Sequence, residues 1–243
     1  MRSGGVGVFG EHVHQRAREL IARYPRGRER SALLPLLHLV QAEQGHVSPD
    51  GISFCAELLG LTRAQVAAVA SFYTMYKRRP AGDWLISVCT NTMCGVLGGD
   101  TTFEALREHL GIGHDQTTPD GQFTLEHAEC LAACDYAPVL TVNYEFFDRV
   151  RPDRARQIVD ELRVGQRPQP DRGARLCTLK EMSLQLAGFA DERDGAVAEG
   201  DPGEPTLAGA RLAQRHGVSV PGFDPDTPIG QPPPPAAGTR EGG

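Results

Sequence analysis

The sequence predicts an α+β protein: a small helical bundle over residues 11–76, a small α/β domain over 82–165 and an extension over 166–243. In the first segment, apolar residues recur at helical spacing between proline and glycine breaks. In the second, short apolar runs typical of strands alternate with amphipathic helical segments. Residues 201–243 contain nine prolines and eight glycines. Such a composition buries too little apolar surface to offset the entropy of ordering, so we expect a disordered C-terminal tail.

Four helices are expected in the bundle, because four apolar periodic segments follow one another between residues 11 and 76. Two of their residues, His38 and Cys55, carry titratable groups, and both are expected to lie in the core and not to act as ligands. The aromatic-rich stretch 72–76 is expected to form the core between the two domains. The boundary signals are Ser31 and Ser48-Pro49 as helix starts, Thr62 with Gln65 as a capping box, and Pro25, Gly45 and Gly60 as helix ends.

The α/β domain should place two pairs of cysteines at the ends of strands. A buried strand over 84–88 leads into Cys89, and an alternating strand over 123–128 leads towards Cys130. These two cysteines begin the patterns Cys89-x4-Cys94 and Cys130-x3-Cys134. The other expected elements are a helix capped by Asp100 and ended by Gly111, a strand over 139–143 and a helix that begins at Pro152.

Three kinds of site use four such thiols. Disulfides need an oxidising compartment, and the Gly-rich N-terminus has no apolar run typical of a signal peptide. Zinc knuckles usually separate the cysteines of each pair by two residues, which differs from the gaps of four and three found here. Iron–sulfur clusters take cysteines from wider loops, and two pairs suit the two irons of a [2Fe-2S] cluster, although the spacing leaves [4Fe-4S] and zinc open.

The surroundings of the cysteines fit a buried, charged group. The polar run 90–92 and the glycines at 95, 98 and 99 allow backbone N–H groups to approach the sulfurs. Glu129 and Asp135 flank the second pair, and carboxylates lower a cluster's reduction potential. We therefore expect a low-potential carrier of single electrons. His127 lies three residues before Cys130, but with four cysteines present it is not expected to be a ligand.

The cysteine pattern, together with Ser-Phe-Tyr-Thr at 71–74, Ala-Pro at 137–138 and the leucine-rich segment 31–45, resembles the 24-kDa subunit (E-subunit) family of NADH-quinone oxidoreductase, respiratory complex I. The resemblance covers residues 11–165. It implies a thioredoxin-like [2Fe-2S] ferredoxin domain behind the helical bundle, with Cys89, Cys94, Cys130 and Cys134 as cluster ligands. It also implies a partner subunit that binds FMN and NADH, a large iron–sulfur subunit, and a cytoplasmic location at the membrane reached through such partners.

Composition and motifs exclude other roles. The formal net charge of −6 is unsuited to nucleic-acid binding. The sequence contains no run of eighteen consecutive apolar residues, so no membrane span is predicted. No glycine-rich fingerprint follows a strand, so NADH and FMN are expected on the partner only. The predicted function is electron transfer within the NADH-oxidising module of complex I. The alternatives are the diaphorase subunit of an NAD-linked hydrogenase or formate dehydrogenase, or a structural zinc module.

The extension contains one periodic segment, residues 176–189. Its apolar residues define one face of a helix, which is expected to dock on a partner subunit, or else to be a weakly ordered surface helix. Cys177 in this segment is expected to be unligated. The Gly-rich residues 1–10 are expected to be disordered.

Overall fold

The computed structural model describes residues 8–196 and 203–218, and the chain divides into two units at residue 200. The first unit contains a helical bundle and a mixed sheet, which confirms the predicted α+β fold. Its bundle consists of α1 (Glu11–Ala22), a 3-10 turn (Glu29–Ala32), α2 (Leu33–Gln44), α3 (Pro49–Leu59) and α4 (Arg63–Phe72).

Most helix boundaries of the bundle follow the predicted signals. The Ser48 hydroxyl accepts a hydrogen bond from the Gly51 amide at 2.9 Å, and Thr62 and Gln65 form the reciprocal capping box. Gly45 and Gly60 end α2 and α3 in the left-handed conformation, with φ of 76° and 62°. Ser31 does not cap α2, because the 3-10 turn runs directly into the helix and places Ala32 at the cap position.

His38 lies in the bundle core, 5% exposed, with its ring centroid 4.8 Å from that of Tyr76. Its Nδ1 has no hydrogen-bond partner among the described residues. Burial lowers the pKa of His38 from 6.5 to about 4, because the charged ring would lose its hydration. The bundle is therefore more sensitive to acid than its carboxylates alone would make it.

We expect the free energy of unfolding to fall by about 1.5 kcal/mol between pH 6.5 and pH 5 because of His38 alone, since each pKa unit corresponds to about 1.4 kcal/mol and the unfolded histidine is already half protonated at pH 6.5. In that range the unfolded chain binds a proton that the folded chain excludes, and the loss levels off below the folded pKa. Urea unfolding at both pH values should show a weaker acid dependence for His38→Leu than for wild type. Parallel behaviour of the two proteins would contradict the assignment.

The elements of the α/β domain are β1 (Trp84–Cys89), α5 (Thr92–Val96), α6 (Gly99–Leu110), β2 (Gln116–Thr117), β3 (Phe123–Ala128), β4 (Leu140–Val142), β5 (Glu145–Phe147) and α7 (Pro152–Arg163). The sheet has the strand order β2-β3-β1-β4-β5, in which β1 and β3 are parallel and the other neighbours antiparallel. The short strands β2 and β5 were not predicted, because two or three residues show no periodicity.

The two faces of the sheet differ in character. Ile86, Val88 and Leu125 lie on the face that packs with α6 and α7 in one apolar core. Side chains alternate between the faces of a strand, so Ser87 and Glu126, which are register partners, lie on the opposite face. Cys89 is two residues beyond Ser87 and shares that second face. The cysteine site therefore forms where the polar face of the sheet ends.

The helix predicted within residues 176–189 is α8 (Leu179–Leu186), and a capping box of Thr178 and Glu181 begins it. Its side chains pack on the bundle: the Gln41 amide donates to the Ser183 hydroxyl at 3.1 Å, and Ala187 and Phe189 join the bundle core. The bundle of the same chain therefore covers the apolar face of α8, which was predicted to dock on a partner subunit. Amphipathicity shows that a face needs covering but does not show by what.

The second unit contains α9 (Glu204–Arg215), a helix that the composition of the tail did not predict. Pro205 stands in its first turn, where proline is favourable, and none of its described residues is buried. Residues 1–7, 197–202 and 219–243, including the proline run 232–235, lie outside the described residues. At the N-terminus, Phe9 is described, and its ring packs 4.5 Å from Phe54 in the bundle core, contrary to the disorder expected there.

Among the described helices, none alone has the length and apolar composition of a membrane span; α3 and α4 reach that composition only when taken together, and the pair is bent by 119°.

Candidate iron–sulfur site

The first cysteine pair is buried. Cys89 is the last residue of β1 and Cys94 lies in α5, and each is 2% exposed. The short helix α5 was not predicted; the Asn91 side chain caps it by accepting from the Thr92 amide at 3.0 Å. The Asn91 amide group also donates to the Glu129 carboxylate at 2.8 Å. This bond joins the two loops that carry the cysteines.

The second pair is exposed. The Sγ atoms of Cys130 and Cys134 are 3.7 Å apart, and the Ala132 amide donates to Cys130 Sγ at 3.4 Å. Ala132 has φ of 57°, a left-handed conformation that turns its amide towards the sulfur. A 3-10 turn begins at Cys134 and ends at Tyr136. One pair therefore faces the protein interior and the other faces the surface.

The two pairs lie together, because Cys89 and Cys94 pack in one cluster with Ala133 and Tyr136 of the second cysteine loop. Burial raises the pKa of the Cys94 thiol to about 11, and the nearby Cys89 and Cys134 thiols act in the same direction, while the Val139 amide lowers it. The pKa of Cys134 is raised first by its hydrogen bond with Cys130, and Cys89 contributes as well. Members of both pairs thus act on one another, as expected if the parallel strands β1 and β3 bring both loops to the same end of the sheet.

This donor set fits an iron–sulfur cluster. Iron is bound by thiolates, and four thiolates crowded in this way repel one another unless cationic iron compensates their charge. Among the residues that the structure describes, no group of three or more His, Cys, Asp or Glu side chains surrounds a single point where one metal ion could bind. The thiols instead form two pairs, and two pairs are what the two irons of a [2Fe-2S] cluster require.

The three glycines near the first pair have different roles. A Cβ atom at Gly99 would lie 2.4 Å from the Cys89 carbonyl oxygen and 2.9 Å from that of Cys94, so only glycine fits. Gly98 precedes α6 with φ of 106°, which glycine adopts readily. A Cβ at Gly95 would meet the Thr90 carbonyl at 3.1 Å.

Asp100 does not cap α6 as predicted; Gly98 takes the cap position, and Asp100 lies in the first turn, where its charge suits the helix dipole.

An apolar shell surrounds the buried thiols. Ala133, Tyr136 and Val139 are buried with Cys89 and Cys94, and Phe146 packs against the same cluster. Outside this shell, α5 and the residue that follows it expose apolar side chains on the surface, namely Met93, Val96 and Leu97. Of the aromatic stretch 72–76, which was predicted to form the inter-domain core, Tyr76 is buried in the core of the bundle and Phe72 is 78% exposed.

A groove of about 830 Å³ runs along the second face of the sheet to Cys130. Lys77 from the end of the bundle forms an ion pair there with Glu126, and the Ser87 hydroxyl donates to the same carboxylate at 2.6 Å. Register places His127 opposite Val88, on the other face from Cys89, and its ring centroid lies 4.0 Å from that of His114. This position agrees with the prediction that His127 is not a ligand, which stays a prediction.

Comparison with known proteins identifies the class of this site. A family model of thioredoxin-like [2Fe-2S] ferredoxins matches residues 17–163. The chain belongs to this family, as the cysteine pattern predicted, and an iron–sulfur cluster is its cofactor.

Individual proteins are also similar to this chain. The NADH-quinone oxidoreductase E-subunit of Mycobacterium tuberculosis is 56% identical over 205 residues, which are 84% of this chain and 80% of that protein. NADH-quinone oxidoreductase subunit 2 of Thermus thermophilus is 39% identical over 150 residues, 61% of this chain and 83% of that protein. Among solved structures, an air-oxidized NAD+-reducing [NiFe]-hydrogenase is 20% identical with a TM-score of 0.49, covering 55% of this chain and 23% of that one. The predicted resemblance to the 24-kDa subunit family is confirmed.

Proposed function

We propose that this chain is the electron-transfer subunit of the NADH-oxidising module of an NADH-quinone oxidoreductase, and that Cys89, Cys94, Cys130 and Cys134 hold one [2Fe-2S] cluster. The observation that carries the proposal is the convergence of two thiol pairs, from two loops, at one end of a sheet. The identity of 56% to a mycobacterial E-subunit over most of the chain supports the assignment to that oxidoreductase.

The bound cluster would supply reversible one-electron chemistry. The chain would hold the cluster in place, surround it with apolar side chains and set the charges near it. The buried Cys89 and Cys94 hold the inner side of the site within the apolar shell. The exposed Cys130 and Cys134 keep the outer side at the surface, within reach of an electron donor. The amides of Ala132 and Val139 point at sulfur atoms and favour the reduced state, whereas the nearby carboxylate of Asp135 opposes it.

We assign FMN and NADH to a partner subunit that docks at the exposed cysteine pair, and we expect a large iron–sulfur subunit in the same complex. The sequence has no glycine-rich fingerprint of its own for either nucleotide. In this proposal the chain works on the cytoplasmic side of the membrane and is held there by its partners. Affinity purification from the native membrane should recover membrane subunits; recovery of a hydrogenase or formate dehydrogenase large subunit instead would contradict the assignment.

The cofactor itself is tested on the full-length chain reconstituted anaerobically with iron and sulfide. We expect two irons and two sulfides per chain, visible absorption from thiolate-to-iron charge transfer, and an EPR signal after reduction with dithionite. Iron and sulfide analysis separates this result from a zinc module, which would be colourless. A preparation that stays transparent and retains only zinc would contradict the proposal.

A further inference from the structure

An arginine of the extension reaches the cysteine site from outside the ferredoxin domain. Arg172 lies beyond residues 17–163, the part of the chain that the family model matches. Its backbone pairs with β5: the Phe146 amide donates to the Arg172 carbonyl at 3.0 Å, and the Asp171 amide donates to the Phe146 carbonyl at 2.9 Å. The extension therefore adds a short strand-like contact to the edge of the sheet.

The side chain of Arg172 is fixed on two sides. Its Nε and Nη2 atoms donate to the two carboxylate oxygens of Asp148 at 2.7 and 2.6 Å, a bidentate pair in which the Asp148 side chain is only 11% exposed. Its Cζ atom lies 4.3 Å from the ring centroid of Tyr136 and 4.6 Å from that of Phe146. Both distances are within the range of cation–π contacts.

These two rings belong to the apolar shell of the thiols. Tyr136 is buried with Cys89 and Cys94, and Phe146 packs against the same cluster. Tyr136 also ends the 3-10 turn that begins at Cys134, so a contact on its ring bears directly on the backbone that carries this cysteine. Both cysteines of this loop are exposed, whereas the first pair is buried.

We propose that Arg172, oriented by Asp148, is a positioning residue for the cysteine pair Cys130 and Cys134. The inference rests on the proposed function of these cysteines as cluster ligands. Stacked on Tyr136 and Phe146, the guanidinium holds the second cysteine loop in the conformation that presents both thiols. Arg172 is then part of the cluster site, although it lies outside the residues that the family model matches.

The charges of Arg172 and Asp148 also affect the midpoint potential of the cluster, independently of the positioning role. Arg172 interacts electrostatically with Asp135 and Tyr136, which follow Cys134 in sequence. Arg172 and Asp148 balance one another, so removing either charge leaves the other uncompensated beside the cysteine loop. A net negative charge there opposes uptake of an electron, and a net positive charge favours it. The two single substitutions must therefore shift the midpoint potential in opposite directions.

Cluster retention tests the positioning role in the full-length reconstituted protein. The decay of visible absorption in the presence of an iron chelator is compared for wild type, Arg172→Gln and Arg172→Lys. We expect Arg172→Gln to lose the cluster about tenfold faster, equivalent to about 1.4 kcal/mol. Arg172→Lys should be intermediate, because lysine keeps the charge but cannot stack or bind bidentately. The matched control is Arg175→Gln in the same segment, whose exposed side chain pairs with Asp194 at 3.1 Å, and it should behave as wild type.

Midpoint potentials separate positioning from a general loss of stability. Arg172→Gln should have a lower potential than wild type and Asp148→Asn a higher one, and circular dichroism checks that each variant is folded. Equal retention in Arg172→Gln and wild type would overturn the inference, as would shifts of the same sign in both variants. If the wild-type chain takes up no iron, the proposed function fails first and this inference with it; if wild type binds the cluster and the variants match it, only the inference fails.

Discussion

Alanine at Cys94 or at Cys130 is expected to remove most of the iron and the visible absorption of the reconstituted chain, whereas alanine at Cys55 or Cys177 should leave both unchanged. Each of the first two substitutions removes one thiolate from a proposed set of four. Changes to residues that only orient a metal's ligands typically weaken metal binding by about 10–100-fold, so loss of a ligand should have at least that effect. Iron and sulfide per chain, with the absorption spectrum, measure the result.

The two control cysteines are suitable because they are free thiols in other parts of the fold. Cys55 is 0% exposed in the bundle core, and burial raises its pKa to about 12. Cys177 is also 0% exposed, and burial raises its pKa to about 11. A neutral, buried thiol is a small apolar side chain, and alanine replaces it at the cost of a small cavity. Equal iron content in all four variants would contradict the ligand assignment.

Substitutions in the first and second cysteine pairs should also differ in their effect on thermal stability. Cys94 is packed among buried residues, so Cys94→Ala leaves a cavity beside Cys89 and Val139 in addition to removing a ligand. Cys130 is exposed, and its replacement should affect the cofactor while leaving the apolar shell intact. The thermal stability of the cluster-free protein should therefore fall for Cys94→Ala and stay close to wild type for Cys130→Ala.

Local signals predicted the bundle well, because helix starts and ends depend on a few neighbouring residues. The Ser48 cap, the Thr62 and Gln65 capping box and the glycine ends of α2 and α3 were all visible in sequence. The exceptions came from context that such signals do not contain. Ser31 has a side chain that can cap a helix, but it lies inside the 3-10 turn before α2, where its backbone amide donates to the Arg28 carbonyl.

The grouping of the cysteines into two pairs was predictable from the sequence, whereas the residues that support them were not. Spacing alone indicates that Cys89, Cys94, Cys130 and Cys134 form two pairs, since each pair is close in sequence and follows a strand. The parallel register of β1 with β3, which brings the pairs together, depends on contacts across about forty residues. The sequence did not indicate that Arg172 lies at the site, because its contacts are with Tyr136 and Asp148, which are 36 and 24 residues away along the chain.

Gly99→Ala is expected to have the second-largest effect on the site, although it replaces glycine by the residue that helices favour most. Gly99 is the first residue of α6, and in an open helical position this change would stabilise by about 0.5–1 kcal/mol. At Gly99, however, the new methyl group would lie 2.4 Å from the Cys89 carbonyl oxygen and 2.9 Å from the Cys94 carbonyl oxygen. Both are backbone atoms, so the loop between β1 and α6 must shift.

The shift should destabilise the fold by about 1–3 kcal/mol, the usual range for overpacking, and should separate the first cysteine pair from the second. We therefore expect Gly99→Ala to lower both the urea midpoint of the cluster-free chain and the iron retained after reconstitution. Gly209→Ala in α9 is the matched control, because a methyl group there meets nothing within 4 Å among the described residues and only helix propensity changes. If Gly99→Ala retained iron as Gly209→Ala does, the close approach of α6 to the cysteine backbone would not be a requirement of the site, and the position would be open to any small residue.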